Sequence, residues 1–207
     1  PGPTVTLVSD DPIRAAIANP GSLRFYIGAE TGDFSAVGTT REAEEAKVKG
    51  WIAGNPGTSI ALFNRIPYTE GGPPPGILWF PHRLQGDQTA ETFPIENRLA
   101  PLLQSTNPEW KFDSTHLKNV NRAQDDFGFP AVGLEMTPSA SGRFGDFTKA
   151  NKKRGLGVVV NDVITTLATI NEPLYGRYQI TGGQRGFTEL AVKSMVKVLR
   201  SGSLKIK

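Results

Sequence analysis

Cysteine is absent from this 207-residue chain, and histidine occurs only twice, as His82 and His116. The lack of cysteine excludes disulfide frameworks, thiolate catalysis and zinc sites built on cysteine. Because the two histidines are far apart in the sequence and form no His-x-x-x-His motif, we predict no metal site and no cofactor. No apolar run reaches the roughly 18 residues that a membrane helix needs, so we expect the chain as given to be soluble.

Motifs for nucleotide binding or nucleophilic catalysis are also missing. Gly155–Gly157 precedes a strand-like run, whereas a dinucleotide fingerprint follows a strand, and Gly182–Gly186 lacks the Lys-Ser/Thr ending of a phosphate loop. His116 with Asp113 and Ser114 supplies the residue types of a catalytic triad, but triad members are rarely sequence neighbours. We therefore predict a protein that is not an enzyme, with an envelope hydrolase that uses His116 as the alternative.

Charge is distributed unevenly along the chain. Residues 1–148 carry 12 basic and 17 acidic groups, whereas residues 149–207 carry 11 basic and 3 acidic groups. Such asymmetry is found in proteins that contact nucleic acid or anionic membranes. The densest basic cluster consists of Lys149, Lys152, Lys153 and Arg154. Since no aromatic residues interleave with this cluster to stack on bases, we predict a solvated face and no nucleic-acid partner.

Glycine and proline are frequent, with 23 and 16 residues, and predict an ordered protein that is rich in turns. Near the start, capping residues predict a helix at Asp11–Asn19, and alternating apolar residues predict a strand at Leu23–Ile27. A second helix is predicted at Thr39–Ala53, where Thr39 and Glu42 have the spacing of a capping box.

The middle of the chain has weaker signals. Apolar runs at Ile60–Phe63 and Ile77–Phe80 flank the glycine- and proline-rich segment Gly71–Gly76, which predicts two strands joined by a long hairpin-like loop. A short helix is expected near Asn97–Leu103. We make no further structural prediction for this region.

From about Asp113 the signals sharpen, which predicts a boundary between an N-terminal part, residues 1–112, and a C-terminal part, residues 113–207. The predicted C-terminal elements are a strand at Ala131–Met136, a helix from Pro138 to about Asn151 capped by Thr137, strands at Val158–Val160, Val163–Ile170 and Arg177–Ile180, and a helix that follows Thr188 and ends at Gly202. Asn161 and Asp162 form the two-residue turn of a hairpin. The last helix has an apolar stripe of Ala191, Met195, Val198 and Leu199.

These elements predict the α+β class, because helices bury their apolar stripes against one face of a sheet. We expect a two-part domain with ferredoxin-like α/β sandwich elements and an antiparallel sheet with helices on one face.

Phe127 and Phe129 form a distinctive aromatic pair in the segment Asp125–Pro130. Two interpretations are open. The interpretation that we favour places both rings at the edge of the core, whereas a loop that displays them would bind apolar peptide segments.

The segment Phe127–Pro138 resembles the SecD family, in which a Gly-x-Pro-Ala-Val strand leads into a Thr-Pro helix cap. Further segments resemble the family in the same order, namely an apolar hairpin at Leu156–Ala168, the family's Ile-x-Gly-x-Phe-Thr turn at Gln179–Gly183 with Phe187-Thr188, and its Leu-Arg-Ser-Gly-Ala-Leu ending at Val198–Leu204. The resemblance spans about residues 113–207, and the short strand at Leu23–Ile27 also resembles a family strand. The departures, such as Asn161-Asp162 in place of Asp-Gly, fall in turns.

The resemblance implies an extracytoplasmic, periplasmic domain of a membrane protein whose proton-coupled helices lie outside this chain. It further implies a subunit that works with a SecF-like subunit and the Sec translocon channel, and that binds emerging unfolded preprotein during proton-motive-force-assisted export. We expect the polypeptide to contact Phe127, Phe129, Tyr175, Tyr178 and Phe187. An architectural domain that only positions partner subunits is a further alternative.

Overall fold

A computed structural model describes residues 23–82, 99–181 and 186–203 and contains eight strands and five α-helices within those ranges. The strands are β1 (Leu23–Gly28), β2 (Ile77–Pro81), β3 (Leu99–Leu103), β4 (Leu117–Gln124), β5 (Pro130–Met136), β6 (Gly155–Val160), β7 (Val163–Thr169) and β8 (Arg177–Ile180). The helices are α1 (Thr31–Ala36), α2 (Arg41–Gly54), α3 (Ile60–Phe63), α4 (Pro138–Ala150) and α5 (Glu189–Ser203). None of the helices in the described ranges has the length and apolar character that crossing a membrane requires.

Five strands form an antiparallel sheet in the order β2-β3-β1-β6-β7. The two outer strands approach each other through a bridge between His82, directly after β2, and Ile164 in β7. The sheet is therefore strongly curled, so that its first and last strands meet. Tyr26, Phe80 and Val159 are buried together with Ile164 in one apolar cluster of this sheet.

The helices α1, α2 and α3 build a second apolar cluster against β2. Phe34, Val48 and Phe63 pack there with Ile77 and Trp79. Sequence order explains this packing, because the three helices lie between β1 and β2 and each supplies at least one buried apolar side chain.

One carboxylate is buried beside these helices. Glu44 is almost completely buried, and its oxygens lie 2.7 Å from Lys47 Nζ and accept a hydrogen bond of 2.9 Å from the Thr39 hydroxyl. The Tyr68 hydroxyl donates to the same carboxylate at 3.4 Å. Burying a carboxylate costs free energy unless it is paired, and these contacts supply its partners. They also connect the short helical turn Tyr68–Glu70 to α2.

The other three strands form an antiparallel sheet in the order β4-β5-β8. The apolar cluster with the most buried residues, which we call the main core, lies against this sheet. Val132, Leu134 and Met136 alternate along β5 and face the main core, where α4 and α5 also bury their apolar stripes. This arrangement confirms the predicted α+β class with helices on one face of an antiparallel sheet.

The β6–β7 hairpin has the predicted two-residue turn. Asn161 and Asp162 both have positive φ angles, of 50° and 59°, which is the conformation of a type I′ turn. Strand β1, helix α4 with Thr137 at its N-cap and Pro138 at its first position, and strand β8 also lie at their predicted positions.

Several predictions of individual elements are wrong. Ile60–Phe63 is the short helix α3 rather than a strand, because Ser59 caps it by accepting a hydrogen bond from the Ala61 amide. Leu99–Leu103 is strand β3 rather than part of a helix, and Gly71–Gly76 joins a helical turn to β2 instead of closing a hairpin. These short runs fit either period, so their tertiary partners decide their conformation.

The remaining differences concern the ends and faces of elements. Thr40, not Thr39, caps α2, and α5 continues through Gly202 to Ser203. The buried residues of α5 include Val192 and Val196, which the predicted stripe omitted. Strand β4 was not predicted, because five of its eight residues are exposed. The helix predicted at Asp11–Asn19 lies outside the described residues.

The five-stranded sheet draws strands from both sides of residue 112. β1, β2 and β3 precede the predicted boundary, and β6 and β7 follow it. The division into parts 1–112 and 113–207 as independent folding units therefore stays a prediction.

Candidate functional site

The aromatic pair lies in a tight turn between β4 and β5. The Asp125 amide donates to the Phe129 carbonyl at 2.9 Å, and the Gly128 amide donates to the Asp125 carbonyl at 2.9 Å. Asp125 Oδ1 accepts from the amides of Phe127 at 3.0 Å and Phe129 at 2.9 Å. Gly128 has a φ of 82°, which favours glycine. These bonds fix the backbone of the turn.

This rigid turn displays its aromatic side chains. Phe127 is 85% exposed and Phe129 is 39% exposed. The interpretation that both rings sit at the core edge does not fit Phe127, which contributes to none of the three core clusters. One exposed apolar side chain is common on protein surfaces, but several that lie together form the kind of patch that is typical of a contact surface.

Phe187, just before α5, and Leu190, in the first turn of α5, lie on the same side of the fold as the turn between β4 and β5. A Cβ added at Gly186 would lie 2.6 Å from the Phe129 Cβ, so the Phe129 side chain rests directly on the Gly186 backbone. Phe187 follows and packs partly against the main core, and Leu190 is 77% exposed. We call Phe127, Phe129 and Phe187 the aromatic tip.

The two tyrosines that were predicted with the aromatic tip lie elsewhere. Tyr178 stacks on Phe144 with ring centroids 5.1 Å apart, and its hydroxyl donates to Met136 Sδ at 3.3 Å. Burial raises the pKa of the Tyr178 hydroxyl, so this side chain is neutral and belongs mostly to the core. Tyr175 is 53% exposed and covers Gly145 of α4, near the opposite end of β5.

A groove of about 400 Å³ opens between the β6–β7 hairpin and β8. Leu156 and Val158 of β6 and Tyr178 and Ile180 of β8 are among its lining residues. The sequence does not predict this groove, because its walls come from strands of two different sheets, whose relative positions depend on the tertiary structure. Its one sequence signal is the short strand Arg177–Ile180, in which only every second residue is apolar.

Asp113, Ser114 and His116 lie at the start of a one-turn 3-10 helix, Ser114–His116. His116 Nδ1 lies 3.0 Å from Asp113 Oδ1, which also accepts from the amide and hydroxyl of Thr115 at 2.8 and 2.6 Å. Partial burial alone would raise the pKa of Asp113, but hydrogen bonds from Thr115 and His116 hold it below its usual value. Asp113 and His116 thus form a reciprocal cap of the segment Ser114–His116.

In the basic cluster of Lys149, Lys152, Lys153 and Arg154, the arginine is bound to other residues and the three lysines are exposed. Arg154 donates to the Gly28 carbonyl at 2.9 Å and pairs with Asp33. Lys149, Lys152 and Lys153 are exposed, and none of them has an ion pair in the described part of the chain. No group of three or more His, Asp or Glu side chains in the described ranges is arranged to hold a metal ion.

Comparison with known proteins identifies relatives of the chain. The family model described as SecDF, P1 head subdomain, matches residues 95–206. Protein translocase subunit SecD of Aquifex aeolicus is 33% identical over 88 residues, which cover 42% of this chain and 17% of the relative. Protein translocase subunit SecD of Thermobaculum terrenum is 29% identical over 123 residues, or 55% of this chain and 23% of the relative. The matches thus span less than a quarter of these curated relatives.

A solved structure is also similar to the chain. It is described as SecDF, a membrane component that enhances protein export, and has a TM-score of 0.48 and 21% identity over 99% of this chain and 73% of that chain. The family model covers the turn with the aromatic tip, both helices of the main core and the β6–β7 hairpin. Because that match extends over more than half of the chain, the chain belongs to the SecDF P1 head subdomain family.

Proposed function

We propose that this chain is the extracytoplasmic, periplasmic domain of a SecD-type subunit of the protein-export machinery and that it binds emerging unfolded polypeptide. The observation that carries the proposal is the aromatic tip, in which a hydrogen-bonded turn holds Phe127 outside the core. An unfolded chain exposes apolar side chains, and a fixed aromatic surface binds them at a low cost in conformational entropy.

The rest of the proposed assembly lies outside the chain. We propose that the membrane-spanning, proton-coupled helices belong to other segments of the subunit, and that a SecF-like subunit and the Sec translocon channel are its partners. Membership of the SecDF P1 head subdomain family and similarity to protein translocase subunits support this arrangement.

In this proposal the domain does no bond chemistry. The strongest catalytic candidate, His116, is engaged with Asp113 in a cap that stabilises a turn. The carboxylate oxygen that would orient the imidazole of a hydrolase also accepts two hydrogen bonds from Thr115. This geometry favours polypeptide binding over the envelope hydrolase.

The aromatic tip is tested by replacing both exposed rings. We expect Phe127→Ala combined with Phe129→Ala to weaken binding of an unfolded preprotein fragment at least about tenfold, because two anchoring aromatic side chains are lost. The measurement is a fluorescence-anisotropy titration of the labelled fragment with the 207-residue chain at two salt concentrations.

The matched control is Leu62→Ala, since Leu62 is an apolar residue of α3 that is 48% exposed and distant in sequence from the turn. We expect this control to bind like the unmodified chain. Equal affinity of the double variant and the control would exclude the aromatic tip as the contact. Absence of any binding by the unmodified chain would instead favour the architectural alternative, and steep salt dependence would indicate the basic face.

A further inference from the structure

The three-stranded sheet has two outer strands, and the alternation of its hydrogen bonds determines which backbone groups each strand exposes. The Met136 amide donates to the Gly176 carbonyl at 2.7 Å, so this pair is of the hydrogen-bonded type. Two residues further on, Tyr178 is paired with Leu134 in the same way. The intervening residues of β8 therefore direct their N–H and C=O groups away from the sheet.

The outer edge of β4 is covered at its centre. By the same alternation, the Val120 carbonyl points away from β5, and Arg200 Nε donates to it at 2.8 Å. Helix α5, which carries Arg200, packs along β4 and β5. A charged side chain bound to an edge strand is a common protection against unwanted strand pairing.

Among the described residues, none covers the outer edge of β8 in this way. The N–H and C=O of Gln179 point outward and have no hydrogen-bond partner in the described part of the chain. The Arg177 carbonyl faces the same way, and the Arg177 side chain is turned toward Glu135 of β5. This edge thus offers donors and acceptors that match the backbone of another extended chain.

The apolar groove runs along the same edge. Tyr178 and Ile180 form one wall of the groove from β8, and Leu156, Val158 and Ala168 line it from the β6–β7 hairpin. A strand added to β8 directs every second side chain to this face of the sheet, because side chains alternate along a strand. An open strand edge beside an apolar groove is the combination that β-augmentation requires.

We propose that β8 is a strand-addition site, at which an extended polypeptide segment pairs with the outer edge and places alternate branched apolar side chains in the groove. The inference rests on the proposed function and specifies the bound conformation and side-chain pattern of the polypeptide. The site is continuous with the aromatic tip, because Ile180 is paired with Val132, and β5 begins at Pro130, directly after Phe129.

The test compares two substitutions at one position. Gln179→Pro removes the outward N–H but no hydrogen bond of the sheet, whereas Gln179→Ala removes the side chain and keeps the N–H. With a fluorescein-labelled ten-residue peptide of alternating valine and threonine, we expect Gln179→Pro to weaken binding about tenfold and Gln179→Ala to change it less than about twofold. Circular dichroism and thermal melting check that both variants fold.

A second measurement uses only the unmodified protein. Two versions of the peptide carry N-methyl groups on every valine amide or on every threonine amide, and at least one of them must bind about tenfold more weakly than the parent peptide. If neither version is weakened and Gln179→Pro binds normally, strand addition is wrong while polypeptide binding stands. If the parent peptide and the preprotein fragment both fail to bind, the proposed function is wrong as well.

Discussion

At the scale of single residues, Asp125 fixes the display of the aromatic tip. Its Oδ1 accepts hydrogen bonds from two amides within the turn, those of Phe127 and Phe129. A carboxylate that accepts two backbone N–H groups holds a loop in one conformation, which reduces the entropy that binding has to overcome.

We expect Asp125→Ala to lower the free energy of unfolding by about 1–2 kcal/mol, because two amides of the turn lose their acceptor. The measurement is urea unfolding followed by circular dichroism. Asp126→Ala is the matched control, since Asp126 is the exposed neighbour and makes no described hydrogen bond or ion pair, and its effect should stay below about 0.5 kcal/mol. Equal stability of the two variants would contradict this role of Asp125.

The aromatic residues show how far single residues can be interpreted from sequence. Phe127 and Phe129 stand out in the sequence as an aromatic pair in the segment Asp125–Pro130, but the sequence does not show whether a ring is buried or displayed. The hydrogen bonds of Asp125 decide that question, and they depend on the turn geometry. Tyr178 is among the residues expected to contact the polypeptide, but its contacts with Phe144 of α4 and Met136 of β5 place it mostly in the core.

At the scale of elements, the contact between β2 and β7 curls the five-stranded sheet. The contact includes His82, which is half-buried and forms a bridge with Ile164. Burial lowers the pKa of the His82 imidazole below its ordinary value. In the unfolded chain the imidazole is solvated and takes up a proton at higher pH than in the fold, so stability falls as protons bind.

We therefore expect the melting temperature to fall as the pH decreases from about 7 through the unfolded pKa of about 6.5 and on toward the lowered pKa of folded His82. His82→Gln should make the melting temperature less dependent on pH in this window, because glutamine takes up no proton. Differential scanning calorimetry at pH 7.5, about 6 and about 5 measures both chains. Parallel pH profiles for the two proteins would mean that His82 does not contribute.

The elements that the sequence predicts well carry local signals. Thr137-Pro138 starts α4, and Asn161-Asp162 closes the β6–β7 hairpin, because caps and tight turns depend on a few adjacent residues. β3 has no such local signal, and α3 has only the Ser59 cap, since a short apolar run fits either a strand or a helix. Their conformations depend on partners far along the chain, such as β2 for β3.

At the scale of the whole molecule, Arg154 connects the two predicted parts of the chain. It follows α4, yet it donates to the Gly28 carbonyl at 2.9 Å and pairs with Asp33 of α1. Its Nε also lies 3.8 Å from Glu30, beyond hydrogen-bonding distance. Among the side-chain hydrogen bonds described above, those of this arginine span the largest sequence separations, 126 and 121 residues.

We expect Arg154→Met to lower the free energy of unfolding by about 2 kcal/mol, because a partly buried carboxylate and a carbonyl lose their donor while the apolar stem is kept. Chemical denaturation at low and high salt measures the change. Lys152→Met, at an exposed neighbouring position without an ion pair in the described ranges, is the control and should have little effect. A similar loss in both variants would indicate a general effect of charge.

The position of β1 in the five-stranded sheet has a consequence for how the molecule reaches its fold. β1 is the earliest described strand, but it lies in the middle of the sheet, where Leu23 pairs with Val160. Such distant pairing makes folding slow, because a long loop must close before the contact forms. The five-stranded sheet therefore remains incomplete until β6 and β7, residues 155–169, have been synthesised. If the domain works on the extracytoplasmic side of the membrane, as proposed, it must itself cross the membrane as an unfolded chain. Each new copy then passes through the same unfolded state as the polypeptides that it is proposed to bind.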